Sequence, residues 1–512
     1  MKKPKRIDLT IEQVDALLKR VKELLPPADY EILESMAETI HLLSQSVGKK
    51  SAAVQRLLRM LFGQTTEKLD KLSGAKESTE PKPEKKKKKG NGRRAAAEYT
   101  AAEKVNVSNA NLKPGDNCPE CLKGKVYEMK MPRQIVRITG NAPLSGTLYL
   151  LERLRCNLCG EIFTATAPDG VGEEKYDSNA KAVIALLKYG SGMPFYRIEK
   201  LQKSMGIPLP SSTQFEIVDK LAGELEPVYL ELLRNAAQGD VIYNDDTTMK
   251  ILTLMQEKDP QRKGMFTTGI LSTNDNHRTA LFFTGRQHAG ENLNDLLKYR
   301  INHSPPIQMC DALSRNIPKD FKSLLANCLA HGRRSFVEIL QSFPDECRHV
   351  LERLAEVYKN DEIAKEQKMT AEARLRFHQD NSGPVMQSLH LWFHEQLDQH
   401  LVEPNSGLGQ AILYMIKHWD ALTLFLKVPN APLDNNLCEQ ALKKAILHRK
   451  NSLFYRTEHG ARVGDLFMSL IHTCNLNNVN PFDYLATLQK NAAELATSPH
   501  QWLPWNYTSA SS

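Results

Sequence analysis

The sequence predicts a multidomain α+β protein: an N-terminal helical coiled coil, a zinc ribbon, a helical module, and a mixed β-sheet core carrying a helical insertion. Three observations predict it. Apolar residues recur at heptad spacing over residues 33–61, two Cys-x-x-Cys pairs lie near the end of the first third, and the texture changes from helix to strand at Asp240 and back to helix after residue 335. At 512 residues the chain is too long for one ordinary core.

No run of apolar residues is long enough to span a bilayer, and the basic N-terminus has no apolar segment behind it, so the expectation is a cytoplasmic protein without a membrane partner. The nine cysteines, an odd number in such a compartment, read as thiols or metal ligands rather than disulfides. The net charge of +8 is modest, but it is locally concentrated, as phosphate-binding surfaces are.

Residues 9–25 have helical periodicity and end at Pro26-Pro27. Leu33, Met36, Ile40, Leu43, Val47, Val54, Leu57 and Leu61 then fall on alternating steps of three and four, with Lys50 off the pattern. This reads either as a self-associating zipper or as an amphipathic helix packed on its own domain, and Gly48 interrupts the former. Residues 74–105 are a Pro-, Lys- and Glu-rich linker in which Lys85 to Lys89, Arg93 and Arg94 are a solvated charge run or a nonspecific DNA contact.

Cys118 and Cys121 form one Cys-x-x-Cys unit, and Cys156 and Cys159 a second. Each knuckle puts two thiolates on one side of a tight turn, and two knuckles complete a tetrahedral site for one structural Zn2+. The strand-like residues between them suit a zinc ribbon over 106–170, and four cysteines leave no open position for catalysis. A redox role would require a βαβ context that the sequence lacks. Residues 171–238 are a helical module; its break at Met205-Gly206, with Ser211 or Ser212 to cap the next helix, has the punctuation of a helix–turn–helix or of an ordinary helix pair.

From Asp240 three strand-like runs form a meander, followed by a helix, the short strand IQMC, a helix over DFKSLLAN, an apolar run into CLAHGRR, and then helices. That is the element order of a ribonuclease-H-like mixed sheet. The core is expected in two parts, 239–345 and 426–495, around a helical insertion at 346–425, with a tail at 496–512.

Asp245 and Asp246 lie inside the first, otherwise apolar, strand, and a carboxylate there is costly unless paired or metal-bound. Asp311 follows IQMC, and Glu439 lies in a helix that Asp434 or Asn435 can cap. If the first and fourth strands are neighbours, Asp245 and Asp311 meet and Glu439 reaches them from a helix on the sheet. An oxygen-only set of three carboxylates suits two Mg2+ or Mn2+ ions in phosphodiester displacement. Each residue taken alone also reads as a cap or turn residue.

The motifs NDDTTMKIL, QMCDALSRN, CLAHGRRSF and DNNLCEQALKKAILHRKNSLF occur in this order behind the zipper, the basic linker and the double Cys-x-x-Cys. Over nearly its whole length the chain thereby resembles the transposases of the insertion-sequence sixty-six family of bacterial mobile elements. The resemblance implies a polynucleotidyl transferase that cleaves and joins DNA strands with Asp245, Asp311 and Glu439 as catalytic, metal-holding residues. Where the family has an Asp-Glu-Thr-Pro type sequence this chain has Asp245-Asp246-Thr247-Thr248, and strand alternation lets only one of the two Asp residues face the site. It also implies DNA as partner, through terminal inverted repeats and target DNA, with homo-oligomers, accessory proteins of the same element and association with the nucleoid.

Around the site, Arg333, Arg334, Lys443, Lys444, Arg449 and Lys450 are expected to contact the DNA backbone, with His448 on the same basic edge. His331 either holds DNA or buttresses Asp311, and Cys328 and His331 read as core residues rather than metal ligands. Two other functions fit parts of the pattern: an inactive DNA-binding regulator with a decayed core, or a ribonuclease-H-like nuclease or resolvase.

Overall fold

A computed structural model describes residues 174–510, apart from 258–261, 275–276 and 303, together with residues 11–22 and short pieces between 25 and 169. The four cysteines of the expected zinc site, most of the 33–61 seam and the basic linker lie outside the described residues. The chain divides into a unit of residues 75–145 and a unit of residues 1–74 with 146–512. In the former, Asn117 and Lys125 form an antiparallel bridge, and Gly115 N–H donates to the Val126 carbonyl at 2.8 Å.

The larger unit begins with α1 (Ile11–Lys22), and later β1 (Arg153–Arg155) pairs antiparallel with β2 (Ile162–Thr164). Helix α2 (Ser178–Ala185), which continues into a π-helical turn over Leu186–Gly190, is followed by α3 (Phe195–Ser204) and α4 (Ser211–Ala237). The expected serine cap of α4 is absent. Pro210 holds the N-cap position, and Ser211 lies inside the helix, donating from its backbone and hydroxyl to Glu199 Oε2 at 3.0 and 2.5 Å. The α4 stripe of Val218, Leu221, Leu225, Val228 and Leu232 is fully buried, and the Ala236 carbonyl accepts from Ser272 Oγ at 2.7 Å.

The sheet comprises β3 (Val241–Thr248), β4 (Phe266–Asn274), β5 (His277–Gly285), β6 (Ile307–Cys310) and β7 (Leu324–Asn327), in the order β5-β4-β3-β6-β7. The first three are an antiparallel meander, while β6 and β7 add parallel to β3. Helix α5 (Ala289–Leu297) connects β5 to β6. The sequence reading put a helix over 320–327; the structure places β7 there and starts α6 (Leu329–Ile339) only afterwards. The segment is too short to declare its period, and the parallel partner β6 claims its backbone while Ala326 and Asn327 become buried.

Both faces of the sheet are covered; one is largely apolar, and the other mixes apolar residues with buried polar ones such as Asn244, Thr268, Ser272 and Gln308. One face, with Val241, Tyr243, Leu271, Ile307, Met309 and Ala326, joins a large core with α6 and the helices α7 (Pro344–Glu366), α9 (Gly383–Asp398) and α10 (Gly407–Lys417), while α8 (Ala371–Asn381) contributes none of its residues to it. That face also receives α11 (Asn436–Ser452). The opposite face receives α4 and α5.

The exposed edge of β5 is closed by α12 (Glu458–Leu476). The N–H groups of Ala280, Phe282 and Thr284 donate to the side chains of Thr473, Ser469 and Asp465 at 3.0, 3.0 and 2.6 Å. Four helical residues rise about 6 Å and two strand residues about 6.8 Å, so the two repeats run nearly in step. An edge that would otherwise template another strand is thereby satisfied.

Within the insertion, Asp361 of α7 is almost buried and gathers Arg374, Lys365 and His378. Burial alone would raise its pKa, but hydrogen bonds from His378, Lys365 and Arg374 hold it well below the usual carboxylate range. Asp361→Ala would strand Arg374 and His378, so a loss of about 3–5 kcal/mol is expected. Because the folded-state pKa is depressed, this stabilisation is present above the ordinary value and lost as pH falls through the folded one. The melting-temperature gap between wild type and variant should therefore narrow below about pH 4; a gap independent of pH would show that the carboxylate charge is not what holds the cluster.

Candidate active site

Strand alternation separates the two aspartates of β3. Asp245 shares the face of Val241 and Tyr243, and Asp246 points to the other. Asp246 is spoken for: its side chain is 1% exposed, Oδ1 accepts from Thr268 Oγ1 at 2.6 Å, and Oδ2 accepts from Ala289 N–H at 3.0 Å with His288 Nδ1 3.2 Å away. It fastens the N-terminus of α5 to the sheet, where the helix dipole favours a carboxylate.

The parallel register of β3 and β6 sets Tyr243 beside Met309, so two residues on, Asp245 and Asp311 emerge on the same face. Asp311 stands just past the end of β6 and accepts hydrogen bonds from the Asn316 side-chain amide and, at 3.3 Å, from Leu313 N–H. The turn carrying Asn316 is held from beneath by a buried amide network. Asn244 Nδ2 and Gln308 Nε2 both donate to the Asn316 carbonyl at 2.7 Å, and Gln308 also donates to Asn244 Oδ1 at 2.9 Å. Gly290 of α5 lies against the same turn: a Cβ there would sit 2.5 Å from the Ile317 carbonyl oxygen.

Glu439 stands in the first turn of α11. Asn435 holds the N-cap position without a side-chain cap, unlike the expectation for Asp434 or Asn435, and Asp434 only accepts from Asn436 N–H at 3.1 Å just outside the helix. One residue before Glu439, Cys438 Sγ reaches the Gly269 carbonyl at 3.3 Å. Gly269 is the β4 partner of Asp245, and a Cβ on it would lie 2.9 Å from Leu442 Cδ2. The bare glycine lets α11 lie close over the carboxylate strand. At the other end of α11, Arg449 donates to Thr247 Oγ1 at 3.1 Å and to the Thr248 carbonyl, tying the helix to the end of β3.

Asp245 bears the electrostatic consequence. Burial pushes its pKa up to about 7, a backbone hydrogen bond from Asp246 opposes this, and the Asp311, Asp246 and Glu439 carboxylates add to the rise. Glu439 Oε1 is buried without a hydrogen-bond partner; His331 Nδ1 is 3.9 Å from it, and Arg334 is 4.0 Å from Oε2. The site is a concentration of carboxylate oxygens that one or more divalent cations would satisfy.

Of the expected DNA contacts, Lys443, Lys444 and Lys450 are exposed on α11, Arg333 and Arg334 are half-buried on α6, and Arg449 is engaged with β3 as above. His448 does not belong to this basic edge. It is buried, stacked on Tyr455 at 4.9 Å, and burial, with Lys188 adding, lowers its pKa to about 3.

Gly269 and Leu442 offer a direct check on how α11 is seated. Gly269→Ala should destabilise the protein by about 1–3 kcal/mol through overpacking. Leu442→Ala should then cost much less in the Gly269→Ala background than alone, read as melting temperatures of the four proteins. Simple additivity would mean that α11 does not rest on this glycine.

The Transposase IS66 family model matches residues 175–463, a span containing every residue of the site just described. Two relatives are uncharacterised proteins of Sinorhizobium fredii. One, y4jD, is 24% identical over 508 residues, covering 93% of this chain and 97% of its own length. The other, y4hP, is 28% identical over 386 residues, covering 70% of this chain and 68% of its own. With more than half its length matched, this chain belongs to the IS66 family of transposases.

Proposed function

We propose that this chain binds the ends of a mobile DNA element and catalyses strand cleavage and strand transfer on a ribonuclease-H-like sheet, with Asp245, Asp311 and Glu439 as a two-metal carboxylate triad. The observation that carries the reading is the convergence itself. Two aspartates meet on adjacent parallel strands, and a glutamate with an unpartnered buried oxygen comes from a helix seated over them. The order of strands, with an antiparallel meander extended by two parallel strands, supports the ribonuclease-H-like assignment.

The donor set fits Mg2+ or Mn2+: carboxylate oxygens, with Asp245 in a setting that disfavours its charge until a cation compensates it. Held by Asp245, Asp311 and Glu439, two such ions would supply Lewis-acid chemistry for the in-line displacement of a phosphodiester. The protein's part is positional. The Asn316 amide orients Asp311, the Asp434–Asn436 hydrogen bond and Gly269 set Glu439, and Asp246 locks α5 under the strand. The exposed Lys443, Lys444 and Lys450, with Arg333 and Arg334, supply cations to phosphates beside the site. The zipper and the zinc ribbon, and the oligomer and accessory proteins that go with a mobile element, belong to the same reading but do not carry it.

Asp245→Asn, Asp311→Asn and Glu439→Gln should each reduce strand transfer on element-end DNA by on the order of a thousandfold, and pairs should be no worse than singles. DNA binding, measured by mobility shift, should survive. Asp246→Asn should lower the melting temperature while sparing far more activity. An active Glu439→Gln, or a dead Asp246→Asn beside a live Asp245→Asn, would place the chemistry elsewhere.

Magnesium should also register as a pH-dependent stabilisation. With its raised pKa, Asp245 is protonated below about 7, a contribution to metal-free stability that is lost as pH rises through that value. Magnesium needs the carboxylate, so its melting shift should be larger at about pH 8 than at about pH 6. Asp465 also titrates near 7, but its carboxylate is bound to Thr284 and cancels between samples with and without magnesium. An equal shift at both pH values, or one unchanged in Asp245→Asn, would refute Asp245 as a ligand.

A further inference from the structure

The starts of two helices meet beside the carboxylates. Cys328 is the N-cap of α6 and His331 stands one turn in, so the Cys-x-x-His spacing puts both side chains at the same end of the helix. Glu439 occupies the corresponding first turn of α11. The two starts are joined by Leu329 N–H donating to the Leu433 carbonyl at 2.9 Å and by Asn435 N–H donating to Cys328 Sγ at 3.2 Å.

One sulfur, one imidazole nitrogen and one carboxylate oxygen from Cys328, His331 and Glu439 lie within 4.8 Å of one another. A second, independent feature points to a ligand. His331 Nδ1 and Glu439 Oε1 are both buried atoms without a hydrogen-bond partner, yet they face each other at 3.9 Å. That is too long for a hydrogen bond. Two donors about 2.0–2.3 Å from a shared tetrahedral ion are themselves roughly 3.3–3.8 Å apart.

We propose that Cys328 Sγ, His331 Nδ1 and Glu439 Oε1 form a binding site for a thiophilic divalent cation of the zinc type, separate from the oxygen-only site of Asp245 and Asp311. The donor set selects the ion: thiolate and imidazole suit Zn2+ or Co2+ and are poor partners for Mg2+. The Asn435 N–H on Cys328 Sγ is the outer hydrogen bond expected around a metal thiolate. Cys328 lies in the core, as expected from the sequence; a ligand role is added to it and to His331. The site does not require Asp245 or Asp311 to hold metal, so the two assignments fail separately. Because Glu439 belongs to both groups, an ion here competes for the carboxylate that completes the triad.

The test is a Co2+ titration of metal-free, reduced full-length protein without magnesium, followed by thiolate-to-cobalt charge-transfer absorption, which cobalt at an oxygen-only site does not give. Wild type is compared with Cys328→Ser, His331→Gln and Asp245→Asn, with circular dichroism confirming that each is folded. The four cysteines outside the described residues contribute equally to all samples. Wild type and Asp245→Asn should take up one more thiolate-bound cobalt than Cys328→Ser, and His331→Gln should bind that cobalt at least about tenfold more weakly. Identical titrations for wild type and Cys328→Ser would overturn the site. So would loss in Cys328→Ser with full retention in His331→Gln, which would leave only a lone thiol.

Discussion

The site depends on how near a helix backbone can come to a strand. A glutamate side chain reaches only a few ångströms from its helix, so Glu439 can join the strand carboxylates only if α11 lies tight against β3 and β4. Gly269 makes that approach geometrically available: it pairs with Asp245 and leaves open the space that Leu442 fills. Cys438 on its carbonyl and Arg449 on Thr247 and Thr248 then hold the helix down at both ends. A residue with no functional group therefore sets the distance between groups that have one.

Drawing carboxylates together in a partly buried place works against folding, and the molecule offsets this selectively. Asp246 has every oxygen engaged by Thr268, His288 and the start of α5, whereas Asp245, its neighbour in sequence, has one backbone hydrogen bond and a pKa raised to about 7. The same residue type at consecutive positions takes opposite roles because the strand turns one toward α5 and the other toward α11. Asp311 stands between these extremes, oriented by Asn316 and half-buried. The raised pKa of Asp245 is the electrostatic cost of its burial beside the other carboxylates.

What the sequence disclosed follows from periodicity and short motifs. The meander, the separate faces of Asp245 and Asp246, and the place of Asp311 just past a strand end all follow from the period of two and from turn residues. Segments whose state is decided by a distant partner were not legible. LLAN becomes β7 only because β6 is there to pair with it, and Ser211 serves Glu199 rather than its own helix start. Gly269, the Asn244–Gln308–Asn316 network and the steps of Asp465, Ser469 and Thr473 along β5 carry no local signature, since each acts across tens to hundreds of residues. His448 looked like one more cation in a basic run; only its burial beside Tyr455 shows that it is neutral.

The helices between Asp311 and Glu439 are packed onto the same sheet. Helices α7, α9 and α10 share one continuous core with Tyr243, Met309 and Ala326 on the sheet and with Phe336 and Val337 on α6. Arg374, held by Asp361, also donates to the Ala431 carbonyl at 3.0 Å, three residues before Asp434, whose carboxylate accepts from the first residue of α11. Leu433 in turn pairs through its carbonyl with Leu329 at the start of α6. The chain therefore leaves the sheet after β7, builds a helical body around Asp361, and returns along a segment that this body and α6 anchor together. The long excursion between the second and third carboxylates fixes where the third one arrives.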